Sequence, residues 1–331
     1  MCLFLNLGRR VIVFSKKSKL QILRAPYGDS PHVAMFLLLF GVFLLAFQDS
    51  IVKFVSSNTS FWQFQTLRAF GNLCFLLCLS IFADGLPMMM PKNWRPVLLR
   101  GVFLTICMFF FFSGAPFLSV SQMATGLYTY PLFVSLLAGP ILSEKIGRWR
   151  ILALIIGASG AILMLDPFGS DFSSVQVLPV IAGFFYATNI ITLRGFCRNE
   201  SPVALASTAA ALFCVSGICG ALLFTFLPLP MDIKVSMPFI SIGWPELTAG
   251  VLFLAFVCSI LNVSGNLCLS RAYQTAESSR LAPLDFSYLL FAVIWGQILF
   301  NSWPDSKTTI GMVMVASAGM LTVWREQAKP S

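Results

Sequence analysis

Apolar runs of about twenty residues recur along the whole 331-residue chain, separated by short segments that hold most of the charge. A helix needs about 20 apolar residues to cross a hydrocarbon core roughly 30 Å thick. Runs of that kind fall at 33–55, 61–82, 97–117, 120–142, 150–167, 175–194, 203–227, 247–269, 279–300 and 307–324. They predict an all-α integral membrane protein with ten transmembrane helices. The division between the third and fourth runs rests on Gly114, Pro116, Ser119, Ser121 and Gln122. Without a turn there, one apolar stretch would be about twice as long as a bilayer needs.

The pattern also repeats. Sliding the chain by 157 residues brings Ala115–Leu142 onto Ala272–Leu299, with Ala115/Ala272, Ser121/Ser278, Leu127/Leu284, Leu132/Leu289, Gly139/Gly296, Ile141/Ile298 and Leu142/Leu299 coinciding. After a two-residue insertion Gly160 meets Gly319. Both segments occupy the fourth span of a five-span half. Five is odd, so the halves cross the membrane in opposite directions, and the expected fold is two inverted five-helix repeats. Such repeats characterise secondary transporters, whose substrates bind near the midplane between the halves. The expected organisation is a basic extension at 1–32, a first repeat at 33–168, a second at 175–324 and a short tail at 325–331.

Composition agrees with the pattern. Apolar residues make up 57% of the chain and charged residues 11%, with 33 phenylalanines. A soluble domain of this size needs a far more polar surface. The net charge of +9 does not form a nucleic-acid-binding face. With the N-terminus inside, Arg9, Arg10, Lys16, Lys17, Lys19, Arg24, Lys92, Arg95, Arg100, Lys145, Arg148, Arg150, Arg194, Arg198, Arg271, Arg280, Arg325 and Lys329 fall on the cytoplasmic side. Lys53, Lys234 and Lys307 fall outside, and Arg68 lies within a span. That asymmetry predicts an inner-membrane protein with both termini cytoplasmic. The first thirty residues lack the uninterrupted apolar stretch and small-residue cleavage site of a signal peptide. They read as a cytoplasmic extension or as the product of an upstream start codon. Of nine cysteines, most lie inside apolar runs, where a thiol behaves as a small hydrophobe.

The chain resembles the drug/metabolite transporter superfamily, specifically proteins with two EamA-type repeats, from about Ala34 to Trp324. The residues that carry the resemblance are Ala-Phe-Gln-Asp-Ser-Ile-Val-Lys at 46–53, Thr-Leu-Arg at 66–68, Thr-Tyr-Pro-Leu-Phe at 129–133, Ile-Leu-Ser-Glu at 141–144 and Gly-Ala-Ser-Gly at 157–160. The second repeat departs from this pattern: Asn301 stands where such repeats often carry Glu, and Pro283 does not align with Pro131. Asp49 followed four residues later by Lys53 looks like a subgroup that includes S-adenosylmethionine and riboflavin uptake proteins, while other members resemble amino-acid exporters. The resemblance implies a small-molecule substrate without choosing one.

A charge inside the hydrocarbon costs from about 2.5 kcal/mol upward and usually has a partner or a job. Asp49 lies about 9 Å and Arg68 about 10 Å from the same outer surface, at 1.5 Å per residue. A short loop joins their spans, which makes an Asp49–Arg68 ion pair the expectation, with Lys53 competing for Asp49 from the same helix face. The pair either orients the helices or handles substrate or protons. Asp285 follows Pro283, which is expected to break span nine and expose backbone carbonyls. It is a candidate for binding a cationic group or a proton, or else a residue at the cytoplasmic boundary. Asn262 and Asn266 share a face of span eight and either bond neighbouring helices or line a cavity. Tyr128, Tyr130, Tyr186, Tyr288 and Trp295 form either an aromatic wall or an interfacial belt. Glu144 is expected in a surface charge cluster and His32 at a span boundary. The candidate substrate-binding set is therefore Asp49, Arg68, Tyr130, Tyr186, Asn262, Asn266, Asp285 and Tyr288.

The sequence lacks a Gly-rich phosphate loop ending in Lys-Ser or Lys-Thr, which argues against ATP drive in this chain. It also lacks a Gly-x-Ser-x-Gly or His-Glu-x-x-His motif, and no catalytic, cofactor or metal site is expected. The expected function is a secondary transporter that moves a small polar or amphipathic metabolite, amino-acid-like or S-adenosylmethionine-like, by alternating access. The alternatives are a channel and a membrane-embedded enzyme or structural protein. Expected partners are the substrate and the lipid bilayer; coupling to protons and oligomeric state stay open.

Overall fold

The computed structural model describes residues 31–82, 85–142, 148–169, 172–198, 200–227, 229–275 and 278–327. Residues 1–30 of the basic N-terminal extension, Glu144 with Lys145, and Lys329 in the tail lie outside the described residues. The described chain is helical and forms no strand. Its helices are α1 (Pro31–Val55), α2 (Phe61–Phe82), α3 (Trp94–Ser113), α4 (Val120–Leu127), α5 (Tyr130–Leu142), α6 (Arg148–Leu165), α7 (Leu178–Phe196), α8 (Pro202–Phe226), α9 (Met231–Ser236), α10 (Pro238–Ser241), α11 (Ala249–Thr275), α12 (Ser278–Asp285), α13 (Ser287–Phe300) and α14 (Ser306–Gln327).

Among the described residues, seven helices are long and apolar enough to cross a membrane: α1, α2, α3, α7, α8, α11 and the stretch from Pro283 through α13. Three of the ten expected spans fall outside that set. The fourth is divided between α4, of eight residues, and α5, of thirteen. The fifth is α6, whose described apolar part runs from Ile151 to Leu165. The tenth is α14.

The polarity of the bundle suits lipid. Gln48, Gln63, Gln65, Arg68 and Asn72 are buried, while Phe36, Phe40, Phe70, Ile81 and Phe82 on the same two helices are exposed. Hydrocarbon can cover the aromatic surface, but it cannot satisfy an amide or a guanidinium, so polar side chains turn inward toward neighbouring helices.

Local chemistry sets the helix ends. The turn expected near 114–119 is present. Gly114 ends α3, and Ser119 opens α4 with a capping box in which its hydroxyl accepts from the Gln122 N–H while the Gln122 side chain accepts from the Ser119 N–H. Lys53 donates to the Ala115 carbonyl at 2.8 Å and lies over the Phe300 ring. It therefore serves the C-terminal end of α3, where a cation is favoured, and does not compete for Asp49. Glu200, before α8, accepts the backbone N–H groups of Lys92 and Asn93 at 2.8 Å each and so covers the start of α3. Asn301 ends α13 in the left-handed conformation that Asn tolerates, its N–H bonded to carbonyls of Gln297 and Gly296.

Spans four and nine are both interrupted. Pro283 lies inside α12, and the break comes after Asp285, at Phe286. The earlier break falls at Tyr128 and Thr129, just before Pro131. The 157-residue slide carries α4 onto 277–284 and α5 onto 287–299, within one residue of α12 and α13. Each break leaves carbonyls without a helical partner. The Thr129 hydroxyl donates to the Gly126 carbonyl at 2.7 Å, and the Tyr128 hydroxyl reaches across to the Asp285 carbonyl at 3.1 Å.

The major packing partners are α1 with α11, α3 with α7, α2 with α8, and α6 with α14. Helices α4 and α5 pack on α7, and α12 and α13 pack on α1. Each of these contacts joins residues before 170 to residues after 170. Two crossings are close because glycines face one another. A Cβ on Gly311 would lie 2.6 Å from the Gly160 carbonyl oxygen, and one on Gly41 would lie 2.8 Å from that of Gly265.

Candidate substrate site between the two halves

A chain of polar and aromatic contacts runs between the halves. The Asn72 amide of α2 donates to the Asn262 side chain of α11 at 3.3 Å. The Asn262 amide donates to Gln48 of α1 at 2.6 Å, and the Gln48 amide donates to the neighbouring Asp49 carboxylate at 2.7 Å. The other Asp49 oxygen accepts the Tyr288 hydroxyl of α13 at 2.5 Å. Tyr288 stacks on Tyr128, with centroids 5.1 Å apart. Tyr128 bonds to the Asp285 backbone, and the Tyr130 hydroxyl donates to the Asp285 carboxylate at 3.3 Å. The Tyr130 ring meets Tyr186 of α7 edge-on at 4.9 Å.

Apart from the Gln48–Asp49 step, the sequence of contacts alternates strictly between halves, with Asp285 linking Tyr128 to Tyr130. Isolated polar groups within spans are costly. Threading them along one seam gives Asn72, Asn262, Gln48, Asp49, Tyr128, Tyr130 and Tyr288 a hydrogen-bond partner from the opposite half, with the Asn72 side-chain oxygen left unbonded, so the seam is polar where the lipid-facing surfaces are not.

Six of the eight candidates therefore fall on the seam: Asp49, Tyr130, Tyr186, Asn262, Asp285 and Tyr288. Arg68 and Asn266 do not join it as expected. Asn266 is exposed and its amide turns back to the Asn262 carbonyl at 2.8 Å. Arg68 is buried, at 3% exposure, but forms no ion pair with Asp49. Its guanidinium donates to Gln65 at 2.6 Å and lies over the Phe112 ring at 5.2 Å. The expectation of a pair assumed that helices joined by a short loop are neighbours. Helix α11 instead packs against both α1 and α2. The Ser259 hydroxyl donates to the Arg68 carbonyl, Cys258 touches the Gln48 carbonyl, and Asn262 bridges Gln48 to Asn72.

Gln48 and Asn72 were not among the expected site residues. Their signal is a polar amide within an apolar run, next to Asp49 in one case and four residues after Arg68 in the other. Trp295 adds an aromatic wall beside the seam, stacked on Phe47 with centroids 4.2 Å apart. Its indole N–H is buried and unbonded. His32 is exposed near the start of α1.

Comparisons with known proteins agree with the architecture. A solved crystal structure matches over 91% of this chain and all of its own, with a TM-score of 0.57 and 15% identity, a likeness of fold. A riboflavin transporter from Vibrio cholerae is 26% identical over 60% of this chain and 61% of its own length. The match thus spans about three-fifths of that relative. An S-adenosylmethionine uptake transporter from Rickettsia bellii is 25% identical over 84% of this chain and 89% of its own. A riboflavin transporter from Rhizobium johnstonii is 24% identical over 85% of this chain and 86% of its own. The EamA-like transporter family matches twice, at residues 32–166 and 174–324. With apolar helices enclosing a polar seam and that double match over most of its length, the chain belongs to the EamA-like transporter family of the drug/metabolite transporter superfamily and is a multi-pass membrane transporter.

Proposed function

We propose that the protein is a secondary transporter that moves a small polar or amphipathic organic metabolite by alternating access, with its substrate site on the seam between the halves. The observation that carries this reading is the alternation of seam contacts between residues before and after 170. A substrate held by such groups touches both halves at once. Rocking one half against the other then opens the site to either side of the membrane.

The packing pattern supports ten spans in two inverted repeats. Exchange of the first five spans with the second five turns the α1–α11 contact into α7–α3, and carries α2–α8 and α6–α14 onto themselves. The two broken spans exchange as well. An even number of spans and the cytoplasmic excess of Lys and Arg favour an inner-membrane location with both termini inside.

Asp49 and Asp285 make a substrate with a cationic group the better fit, and the tyrosines beside them suit a flat or apolar body. An amino acid or S-adenosylmethionine has that character, and the named activities of the relatives favour the latter. No catalytic role is assigned. Uptake of labelled S-adenosylmethionine and riboflavin into proteoliposomes, with and without a pH gradient, tests the reading. Saturable uptake of either supports a carrier, and a gradient that raises it adds proton coupling. Failure of both compounds and of a wider amine panel would remove it.

A further inference from the structure

We propose that Asp49 and Arg68 form a two-pole site for a zwitterionic head group, with a substrate ammonium taken by Asp49 and a substrate carboxylate by Arg68. This deepens the transporter reading above and rests on it.

Both charges lie inside the bundle, on helices whose connecting loop sets them at similar depth, about 9 and 10 Å from one surface at 1.5 Å per residue. Neither has an ionic partner within 4.0 Å among the described residues. Asp49 is held by two neutral donors, the Gln48 amide and the Tyr288 hydroxyl. Arg68 is held by one neutral acceptor, Gln65, and by the Phe112 ring. A buried charge with neutral partners alone is a poor stabiliser of a fold, and evolution of a stable bundle favours pairing or deleting it.

The separation is built. Three residues of one face of α11, Cys258, Ser259 and Asn262, bond to α1 and α2 and keep the two helices apart. The result sets a negative group on α1 and a positive group on α2 on either side of that face of α11. Arg68 uses one nitrogen on Gln65 and keeps a guanidinium edge for a planar carboxylate, which it can grip with two parallel bonds. Asp49 keeps acceptor capacity on both oxygens beyond the single bond each accepts. An α-amino acid head group carries the complementary charges a few bonds apart. Its bound form neutralises both poles, which neither a simple amine nor a simple acid does.

The test uses purified full-length protein and probes that differ only at the head group: methionine, its methyl ester, which lacks the carboxylate, and N-acetylmethionine, which lacks the ammonium. S-adenosylmethionine and its decarboxylated analogue form a second matched set. Binding is read by ligand-induced thermal stabilisation and by inhibition of uptake. We expect at least one intact zwitterion to bind, with both half-charged relatives at least tenfold weaker. Arg68→Gln should erase the penalty for the ester or the decarboxylated analogue and leave the penalty for N-acetylation. Asp49→Asn should do the reverse. Arg68→Lys, which keeps the charge, should preserve the preference at weaker affinity and serves if Arg68→Gln does not fold. Zwitterions that do not bind, or an unchanged preference in folded Asp49→Asn and Arg68→Gln, would overturn the proposal. Saturable riboflavin uptake alongside that result would leave the transporter reading standing. Loss of all saturable uptake would instead count against that reading.

Discussion

Two of the seams that join the halves are built differently. The seam formed by α1, α11, α13 and the broken spans carries amides, carboxylates and tyrosines. The seam between α6 and α14 is apolar, with facing glycines packed beside Met164 and Met314. Gly160 and Gly311 meet backbone to backbone, and Gly157 meets Ala318 and Leu132. Its charged contact is Lys307 with Asp166 at the helix ends, where both side chains are about half exposed. Close backbone contact between small residues gives a dry, rigid join in lipid. Hydrogen bonds between flexible side chains can be exchanged for bonds to a substrate. On the proposed function, the α6–α14 seam holds the halves together and the polar seam recognises the substrate.

Substitutions on each seam test that division. The largest effect should come from Gly311→Leu, because the new Cβ would sit 2.6 Å from the Gly160 carbonyl oxygen. Overpacking of this kind costs on the order of 1–3 kcal/mol, and the yield of monodisperse protein on size exclusion should fall steeply. Normal yield would show that the α6–α14 seam is loose.

Asp285→Ala should leave expression intact and lower transport at least tenfold, a loss of about 1.4 kcal/mol of binding or barrier. Unchanged uptake of every cationic substrate tried would remove Asp285 from the site. Tyr288→Phe deletes one hydroxyl that bonds Asp49. A hydrogen bond to a charged group contributes about 1.5–3 kcal/mol when fully formed. Water or substrate can replace part of it, so transport should fall less than in Asp285→Ala. A fall as large would mean that Tyr288 itself contacts the substrate.

The smallest effect belongs to Asp166→Asn. An exposed pair contributes about 0–1 kcal/mol, so stability and uptake should stay near those of the parent. A large loss would give the α6–α14 seam a role in the transport cycle.

Much of this was legible in the sequence. Polar residues are rare in apolar runs, so Asp49, Asp285, Asn262 and the tyrosines stand out, and lipid forces them inward. The 157-residue repeat anticipated equivalent fourth spans. It did not anticipate that both are broken, because Pro131 and Pro283 lie at different distances from the breaks. The Asp49–Arg68 pair was misread for a physical reason: helices that follow one another need not touch, and α11 is far away in sequence. Gln48 gives little signal beside a charged neighbour, although its amide carries the link from Asp49 to Asn262 and Asn72.

Under the proposed function, one site between the halves is exposed first to one side of the membrane and then to the other, never to both at once. Counterflow measures this most directly. Proteoliposomes are loaded with unlabelled substrate, S-adenosylmethionine first, and diluted into a trace of labelled substrate. A carrier should give a transient overshoot of label inside loaded vesicles, absent from empty ones and abolished in Asp285→Ala. Label that rises to equilibrium without overshoot, at a rate indifferent to the internal load, would contradict it and point to a channel.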